Sequence, residues 1–98
     1  MMTIITRVKL KAGSTEQWDR VMRERVEAAR GASGWVSAQL LKGVDEELER
    51  AIIGVWESKD DWAAWHHDDA FQETRDQLSR VEDRAQESVW FEVVEDLD

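Results

Sequence analysis

Two predicted strands of this chain carry apolar side chains on both faces. Side chains alternate between the faces of a strand, so apolar residues at nearly every position indicate that both faces are buried. The segments Glu49 to Glu57 and Ser88 to Val94 show this pattern, with these apolar residues: Ala51, Ile52, Ile53, Val55, Trp56, Val89, Trp90, Phe91, Val93 and Val94. Two helices can cover only one face of a small sheet. A second copy of the same sheet is the most economical cover for the other face, and we predict a homodimer.

The first half of the chain predicts a strand followed by a helix. Residues Met2 to Lys11 alternate with a period of two, and Gly13 ends this strand. Ser14 and Gln17 predict a capping box, after which apolar residues at helical spacing continue to Arg30. The apolar stripe of this helix is Trp18, Val21, Met22, Val26 and Ala29.

The second half predicts a hairpin, a short helix, a longer helix and a last strand. The strands are expected at Trp35 to Lys42, Glu49 to Glu57 and Ser88 to Val94 and the short helix at Lys59 to Trp65, while the longer helix has an apolar stripe from Ala70 to Val81. Ser58 is expected to cap the short helix, and Asp69 with Gln72 the longer one. The order β-α-β-β-α-β, with a broken second helix, predicts an α+β ferredoxin-like sandwich with an antiparallel sheet.

Charge and composition narrow the partners and the location. The 98 residues suit one domain spanning 1–98, and the net charge of -9 disfavours nucleic acid and anionic lipid as partners. No run of about 18 apolar residues suggests a membrane span. The absence of cysteine favours a reducing cytoplasm over an extracellular disulfide scaffold. The acidic residues of the tail, Asp98 among them, are expected to be solvated.

Three segments carry a resemblance to a known family. They are Gly34 to Lys42 (GWVSAQLLK), Ile53 to Trp62 (IGVWESKDDW), and Trp65 with Asp68 to Phe71 (DDAF). This set resembles the antibiotic biosynthesis monooxygenase family along nearly the whole chain. The resemblance implies a dimeric α/β barrel. It also implies one of two oxygenase chemistries: cofactor-independent oxidation of polyketide anthrones and quinols, or haem degradation.

The resemblance also allows three residues of the haem-degrading branch to be placed. Its helix Trp falls at Trp65, its strand Asn at Thr6 and its axial His at Arg75. Two of these differ from the branch, and a protonated guanidinium cannot ligate iron as an imidazole does. Haem is therefore the less favoured alternative, and we expect no cofactor.

Six residues are candidates for a substrate site. Trp65 would position a planar substrate, although aromatic residues at helical spacing are more often core. His66 or His67 would act as general base, with paired surface histidines as the ordinary alternative; adjacent helical residues point apart, so one of them at most should enter a pocket. Thr6 or Arg75 would hold an oxyanion, and Phe71 would contact the substrate. His66, His67, Asp68, Asp69 and Glu73 do not have the spacing of a known metal motif, and we expect no metal.

The leading hypothesis is a monooxygenase that oxidises a small planar phenolic, quinol-like or polyketide compound with O2. Two alternatives stay open, namely a haem-degrading enzyme and a non-catalytic small-molecule-binding or stress-linked dimer. A solvent-filled pocket beneath Trp65 would favour an enzyme. A pocket packed shut by Trp56, Trp65 and Phe71 would favour the non-catalytic dimer.

Overall fold

The computed structural model describes residues 1–84 and 86–97 and has the predicted α+β architecture. Its elements are β1 (Met2–Lys9), α1 (Thr15–Ala29), β2 (Trp35–Lys42), β3 (Glu49–Trp56), α2 (Lys59–Trp65), α3 (Asp69–Val81) and β4 (Glu87–Glu92). The strands form one antiparallel sheet in the order β2-β3-β1-β4. The helices pack on one face of it, which confirms the ferredoxin-like prediction. Asp98, assigned above to the solvated tail, lies outside the described residues.

The helix starts differ in part from the prediction. Ser58 caps α2 as expected, because its hydroxyl accepts a hydrogen bond from the Asp61 amide. The predicted capping box of α1 is wrong: the Ser14 hydroxyl instead donates to the carbonyls of Lys11 and Val81, at 2.5 and 3.2 Å. This hydroxyl therefore ties the start of α1 to the end of α3.

At the start of α3, Asp68 takes the capping role predicted for Asp69. Its side chain accepts a hydrogen bond from the Ala70 amide at 2.8 Å. The last strand begins and ends earlier than predicted, at Glu87 and Glu92, because its pairing with β1 stops where β1 begins at Met2.

The strand register places two different surfaces on the sheet. Ile5 of β1 pairs with Ile53 and Val89, and Thr3 pairs with Val55 and Phe91. These positions face away from the helices, and we call this side the open face. Val89 and Phe91 remain 54% and 52% exposed there. The alternation of the two apolar strands thus predicted the two surfaces correctly.

Two groups of buried side chains lie between the sheet and the helices. The first, which we call the aliphatic core, consists of Val8, Leu10, Trp18, Val21, Met22, Leu78 and Val81. The second, the aromatic core, consists of Ile4, Ala29, Trp56 and Trp65 with the partly buried Ala32, Trp35, Trp62, Ala70, Phe71 and Trp90. In residues 1–84 and 86–97, no helix has the length and apolar character that crossing a bilayer requires.

Candidate functional site

A cavity of about 120 Å³ lies within the aromatic core. Its walls come from the helix-facing side of the sheet and from all three helices, with Trp56, Trp65 and Phe71 among the lining side chains. A wider depression of about 650 Å³ lies beside it. The inner cavity and the outer depression share these lining residues: Arg25, Trp62, His66, Phe71, Gln86 and Ser88. A ligand could therefore span both spaces.

The helix α2 carries the aromatic wall of the cavity. Its start is held by the Ser58 hydroxyl and by Gly34, whose φ of 82° and contact with the Asp61 side chain leave no room for a Cβ atom. Trp62 and Trp65 are one helical turn apart and both point towards the sheet. Trp65 is only 6% exposed and meets Phe71 edge to face at 6.1 Å between ring centroids.

His66 follows Trp65 and lines both spaces. Its ring lies between Trp62 and Phe71, at centroid distances of 3.9 and 4.2 Å. Its Nδ1 is 2.8 Å from the Trp62 carbonyl oxygen, and because a carbonyl can only accept, Nδ1 carries a proton and donates it. In the neutral ring the lone pair is then on Nε2, which makes no hydrogen bond to the described residues. His66 thus has the tautomer that a general base needs.

Burial lowers the pKa of His66 below its ordinary value of 6.5. The hydrogen bond to the Trp62 carbonyl acts in the opposite direction, while the positive charges of Arg25, His67 and Arg75 lower the pKa further. His66 is therefore neutral at pH 7 and able to accept a proton there.

Arg25 of α1 is a site residue that the sequence analysis missed. It is 9% exposed and lines both the inner cavity and the outer depression. Its Nε donates to the Thr74 hydroxyl at 2.7 Å, and its guanidinium carbon lies 4.0 Å from the centre of the Phe71 ring. A signal was present in the sequence. Arg25 is seven residues after Trp18 and four before Ala29, so it shares their helix face, whereas the predicted stripe used Val26.

Two hydroxyl groups lie together on the sheet side of the cavity. Thr6 Oγ1 and Ser88 Oγ are 2.9 Å apart, and either can donate to the other. Thr6 is 7% exposed, and both residues line the inner cavity. One of the two hydroxyl protons forms the hydrogen bond between Thr6 and Ser88, so the other can be donated to a ligand oxygen. Thr6 was a sequence candidate and Ser88 was not.

The structure separates the remaining candidates from the inner cavity. His67 and Arg75 are exposed and line only the outer depression. Trp65, His66, Phe71 and Thr6 line the inner cavity, so the structure brings four of the six candidates together. Within the described ranges, no three His, Asp or Glu side chains are grouped to hold a metal ion.

Comparisons with known proteins agree on one family and one fold. The sequence model of the family described as antibiotic biosynthesis monooxygenase matches residues 1–77. Solved structures with the same fold include a candidate antibiotic biosynthesis monooxygenase from Nitrosomonas europaea, with a TM-score of 0.90 and 17% identity over 97% of this chain and 100% of that one. Another is SnoaB, a cofactor-independent oxygenase from Streptomyces nogalater, with a TM-score of 0.87 and 19% identity over 98% of this chain and 95% of that one. At these identities the likeness shows the fold alone. No curated protein matches the chain.

Proposed function

The chain belongs to the antibiotic biosynthesis monooxygenase family, and from this premise we propose that it is a cofactor-independent monooxygenase acting on a planar phenolic, quinol-like or polyketide compound. The observation that carries the proposal is the inner cavity, whose walls are aromatic and whose lining includes the neutral imidazole of His66. A planar aromatic substrate fits such walls, and the imidazole supplies the base that the reaction needs.

The size of the cavity limits how much of the substrate it can enclose. An apolar cavity of about 150 Å³ holds one benzene molecule, so a volume of about 120 Å³ is close to the space of one six-membered ring. A polycyclic substrate would place its reacting ring against Trp65. Its other rings would extend into the outer depression, beside His67 and Arg75.

The chemistry would begin with proton transfer to His66. Nε2 accepts the proton of a phenol or of an activated CH2 group, which leaves an electron-rich phenolate or carbanion. This anion gives one electron to O2, and the resulting radical and superoxide combine to form a peroxide at the reacting carbon. Loss of water then converts CH2 into C=O, so that CH2 and O2 become C=O and H2O. The substrate carbon supplies all four electrons, and no outside reductant is needed.

Each of the other lining groups has a role in this scheme. Trp65 positions the reacting ring, and the hydroxyl pair of Thr6 and Ser88 donates to developing negative charge on oxygen. Phe71 forms the adjoining wall, and Arg75 meets the part of the substrate in the outer depression. The Streptomyces nogalater oxygenase with this fold works without a cofactor, which supports the same expectation here.

Haem does not suit these residues. The inner cavity has room for about one ring, so most of a porphyrin would have to lie in the outer depression, beside Arg75. Arg75 stands where the haem-degrading branch has its axial His, and a guanidinium offers iron no imidazole nitrogen. His66, the imidazole in the cavity wall, is packed between two aromatic rings. A haemin titration is therefore expected to leave the Soret band of haemin unshifted.

Isotope labelling tests the proposed reaction. The purified protein, treated with a chelator, is incubated with ¹⁸O2 and a panel of anthrones and hydroquinones. We expect at least one product to contain one ¹⁸O atom, with the second in water. The absence of labelled product from every compound, or release of hydrogen peroxide with an unlabelled product, would refute the proposal.

Two buried tryptophans provide a matched pair of variants for this assay. Trp65→Phe removes part of the cavity wall, and we expect kcat/KM to fall about tenfold to a hundredfold because the substrate is misplaced. Trp18→Phe alters a fully buried Trp of the aliphatic core, away from the cavity. Its kcat/KM per folded molecule is expected to stay close to that of the unmodified protein.

We also propose that the open face is covered by a second copy of the chain. Its half-exposed apolar residues, Val89 and Phe91 among them, have no cover within one chain. Sedimentation should give twice the mass of 11.4 kDa. Ile53→Asp, at the centre of this face, should yield monomer, and Ala28→Asp on the exposed side of α1 should remain dimeric. A monomeric unmodified protein at micromolar concentration would contradict the dimer.

A cytoplasmic location stays a prediction. It rests on the absence of cysteine from the sequence, because small secreted domains usually depend on disulfide bonds. Localisation of the tagged protein in its own cells would decide it.

A further inference from the structure

Arg25 is a buried cation without a matching anion. It is 9% exposed, and no carboxylate of residues 1–84 and 86–97 lies within 4.0 Å of its guanidinium. The other deeply buried arginine, Arg50, is instead paired with Asp19 at 2.9 Å. A buried charge without a partner costs stability. The ion pair with Asp19 accounts for the burial of Arg50, whereas no such pair accounts for the burial of Arg25.

The guanidinium of Arg25 is held in one orientation. Its Nε donates to Thr74 Oγ1 at 2.7 Å, and its Nη2 donates to the Phe71 carbonyl at 3.4 Å. The Thr74 hydroxyl is itself fixed, since it donates to the same carbonyl at 2.9 Å. The guanidinium carbon lies 4.0 Å from the centre of the Phe71 ring. Its Nη1 donates to none of the described residues, so this end of the fork is free for a ligand.

The surroundings of Arg25 leave its charge uncompensated. Burial lowers its pKa from the usual range of arginine to about 10, so it remains positive at neutral pH, and Glu82 is the acid that opposes this shift. The Glu82 carboxylate already accepts hydrogen bonds from Trp18 Nε1 at 3.1 Å and Gln86 Nε2 at 2.8 Å. The other polar groups that line the inner cavity are the neutral His66, the hydroxyls of Thr6 and Ser88, and the Gln86 amide, and none of them is an anion. An anion in the cavity would supply the missing charge.

We propose that Arg25 binds the anionic oxygen of the substrate, so that the cavity selects aromatic compounds that bind as phenolates. The free Nη1 would donate a charge-assisted hydrogen bond to this oxygen. One part of this inference rests on the proposed function, namely that His66 accepts the proton of the phenol. As the phenol O–H bond breaks, the proton passes to His66 Nε2 and the negative charge stays on oxygen beside Arg25. Arg25 and His66 line the same cavity, one to hold the anion and one to take the proton.

A coloured phenol tests this directly. 4-Nitrophenol turns yellow when it ionises, so its ionisation can be followed while it is bound. With the unmodified protein, we expect the pKa of bound 4-nitrophenol to be at least about one unit below its value in water, a tenfold preference for the phenolate. Arg25→Met should abolish the shift, and Arg25→Lys, which keeps a cation, should retain part of it. Arg23→Met, an exposed arginine of the same helix, is the matched control and should retain all of it.

Nitrobenzene separates charge recognition from collapse of the cavity. It has a similar shape and no ionisable group, so Arg25→Met should bind it as tightly as the unmodified protein does. An unshifted pKa of 4-nitrophenol on the unmodified protein, a failure of 4-nitrophenol to bind, or a full shift in Arg25→Met would each overturn the inference.

Oxygen consumption distinguishes this inference from the proposed function. A shifted pKa of bound 4-nitrophenol without oxygen consumption on any quinol would support the anion site and refute the proposed monooxygenase activity. Equal oxygen consumption by Arg25→Met and the unmodified protein would support the monooxygenase activity and refute a role for Arg25 in the site.

Discussion

The aliphatic core and the aromatic core lie under the same face of one sheet but are built differently. The aliphatic core contains the largest fully buried side chains, Trp18, Leu10, Leu78 and Val21, each less than 2% exposed. The aromatic core contains every tryptophan except Trp18, and it surrounds a cavity of about 120 Å³. The guanidinium of Arg25, which has no carboxylate partner, and the imidazole of His66, which packs between two aromatic rings, both line that cavity.

The contrast shows where the chain gains stability and where it gives some up. Close packing of apolar side chains stabilises a fold, whereas a void or an unpaired buried charge destabilises it. A 98-residue chain has little stability to spare, so such costs are expected where they serve binding or catalysis. Substitutions in the aliphatic core should therefore lower the free energy of unfolding more than they lower kcat/KM, and substitutions in the aromatic core should do the reverse.

The largest effect is expected in the aliphatic core. Leu10→Ala removes a side chain that is 1% exposed and leaves a void, so the free energy of unfolding should fall by about 2–5 kcal/mol. Chemical denaturation measures this loss. Because Leu10 lines neither the inner cavity nor the outer depression, kcat/KM per folded molecule should change little. A large loss of kcat/KM at full folding would show that the two cores are not separate.

The next effect is the converse, a loss of activity with little change in stability. His66→Gln keeps a polar group of similar size but no base, and kcat/KM should fall about a hundredfold. Steady-state kinetics on the best substrate of the labelling panel measure it. An undiminished kcat/KM would remove His66 as the base and leave the exposed His67 as the sequence-based candidate.

A smaller effect is expected on the pH dependence. Since burial lowers the pKa of His66 below 6.5, the base stays neutral at mildly acidic pH, and the acid limb of kcat/KM should lie below pH 6.5. Within the limb, kcat/KM should fall about tenfold per pH unit. In Arg25→Met the limb should move to higher pH, because the positive charge of Arg25 helps to lower this pKa. A limb above pH 6.5 in the unmodified protein would contradict the assignment.

The lowered pKa of His66 also makes the free energy of unfolding depend on pH. Below pH 6.5 the unfolded chain binds a proton at His66 more readily than the folded chain does. The contribution of His66 to the free energy of unfolding is thus constant above pH 6.5 and declines as the pH falls towards the lowered pKa. Comparing the pH dependence of unfolding in the unmodified protein and His66→Gln isolates this contribution, which the substitution should remove.

The smallest effect is expected for the stability of Arg25→Met. The substitution removes an unpaired buried charge, and the Thr74 hydroxyl keeps its hydrogen bond to the Phe71 carbonyl. The free energy of unfolding should change by less than about 1 kcal/mol or rise slightly. Thermal and chemical denaturation measure it. A loss as large as that of Leu10→Ala would mean that Arg25 serves the fold and not the cavity.

The fold was largely predictable because its determinants are local. Alternation along the strands predicted the sheet, and apolar residues on both faces of β3 and β4 predicted the open face. Ser58 was recognised as a cap because a hydroxyl just before a helix has one usual partner. Ser14 was misread, because its hydroxyl donates to the Lys11 carbonyl before it and to the Val81 carbonyl, far away in sequence, and not to the helix.

The site was only partly predictable for the same reason. Trp65 and Thr6 were found through the family resemblance, and His66 through its chemistry. Arg25 was missed because arginine on a helix usually points to solvent, and its environment comes from Phe71 and Thr74 on another helix. Ser88 was missed because only strand pairing places it opposite Thr6.

Oxygen consumption by Leu10→Ala and His66→Gln, measured side by side at a temperature where both are folded, is the most direct test of this division. The division predicts that Leu10→Ala, although much less stable, consumes oxygen with the best quinol or anthrone at nearly the unmodified rate, and that His66→Gln, although stable, is about a hundredfold slower. Equal rates in the two variants, or the reverse order, would contradict the assignment of catalysis to the aromatic core.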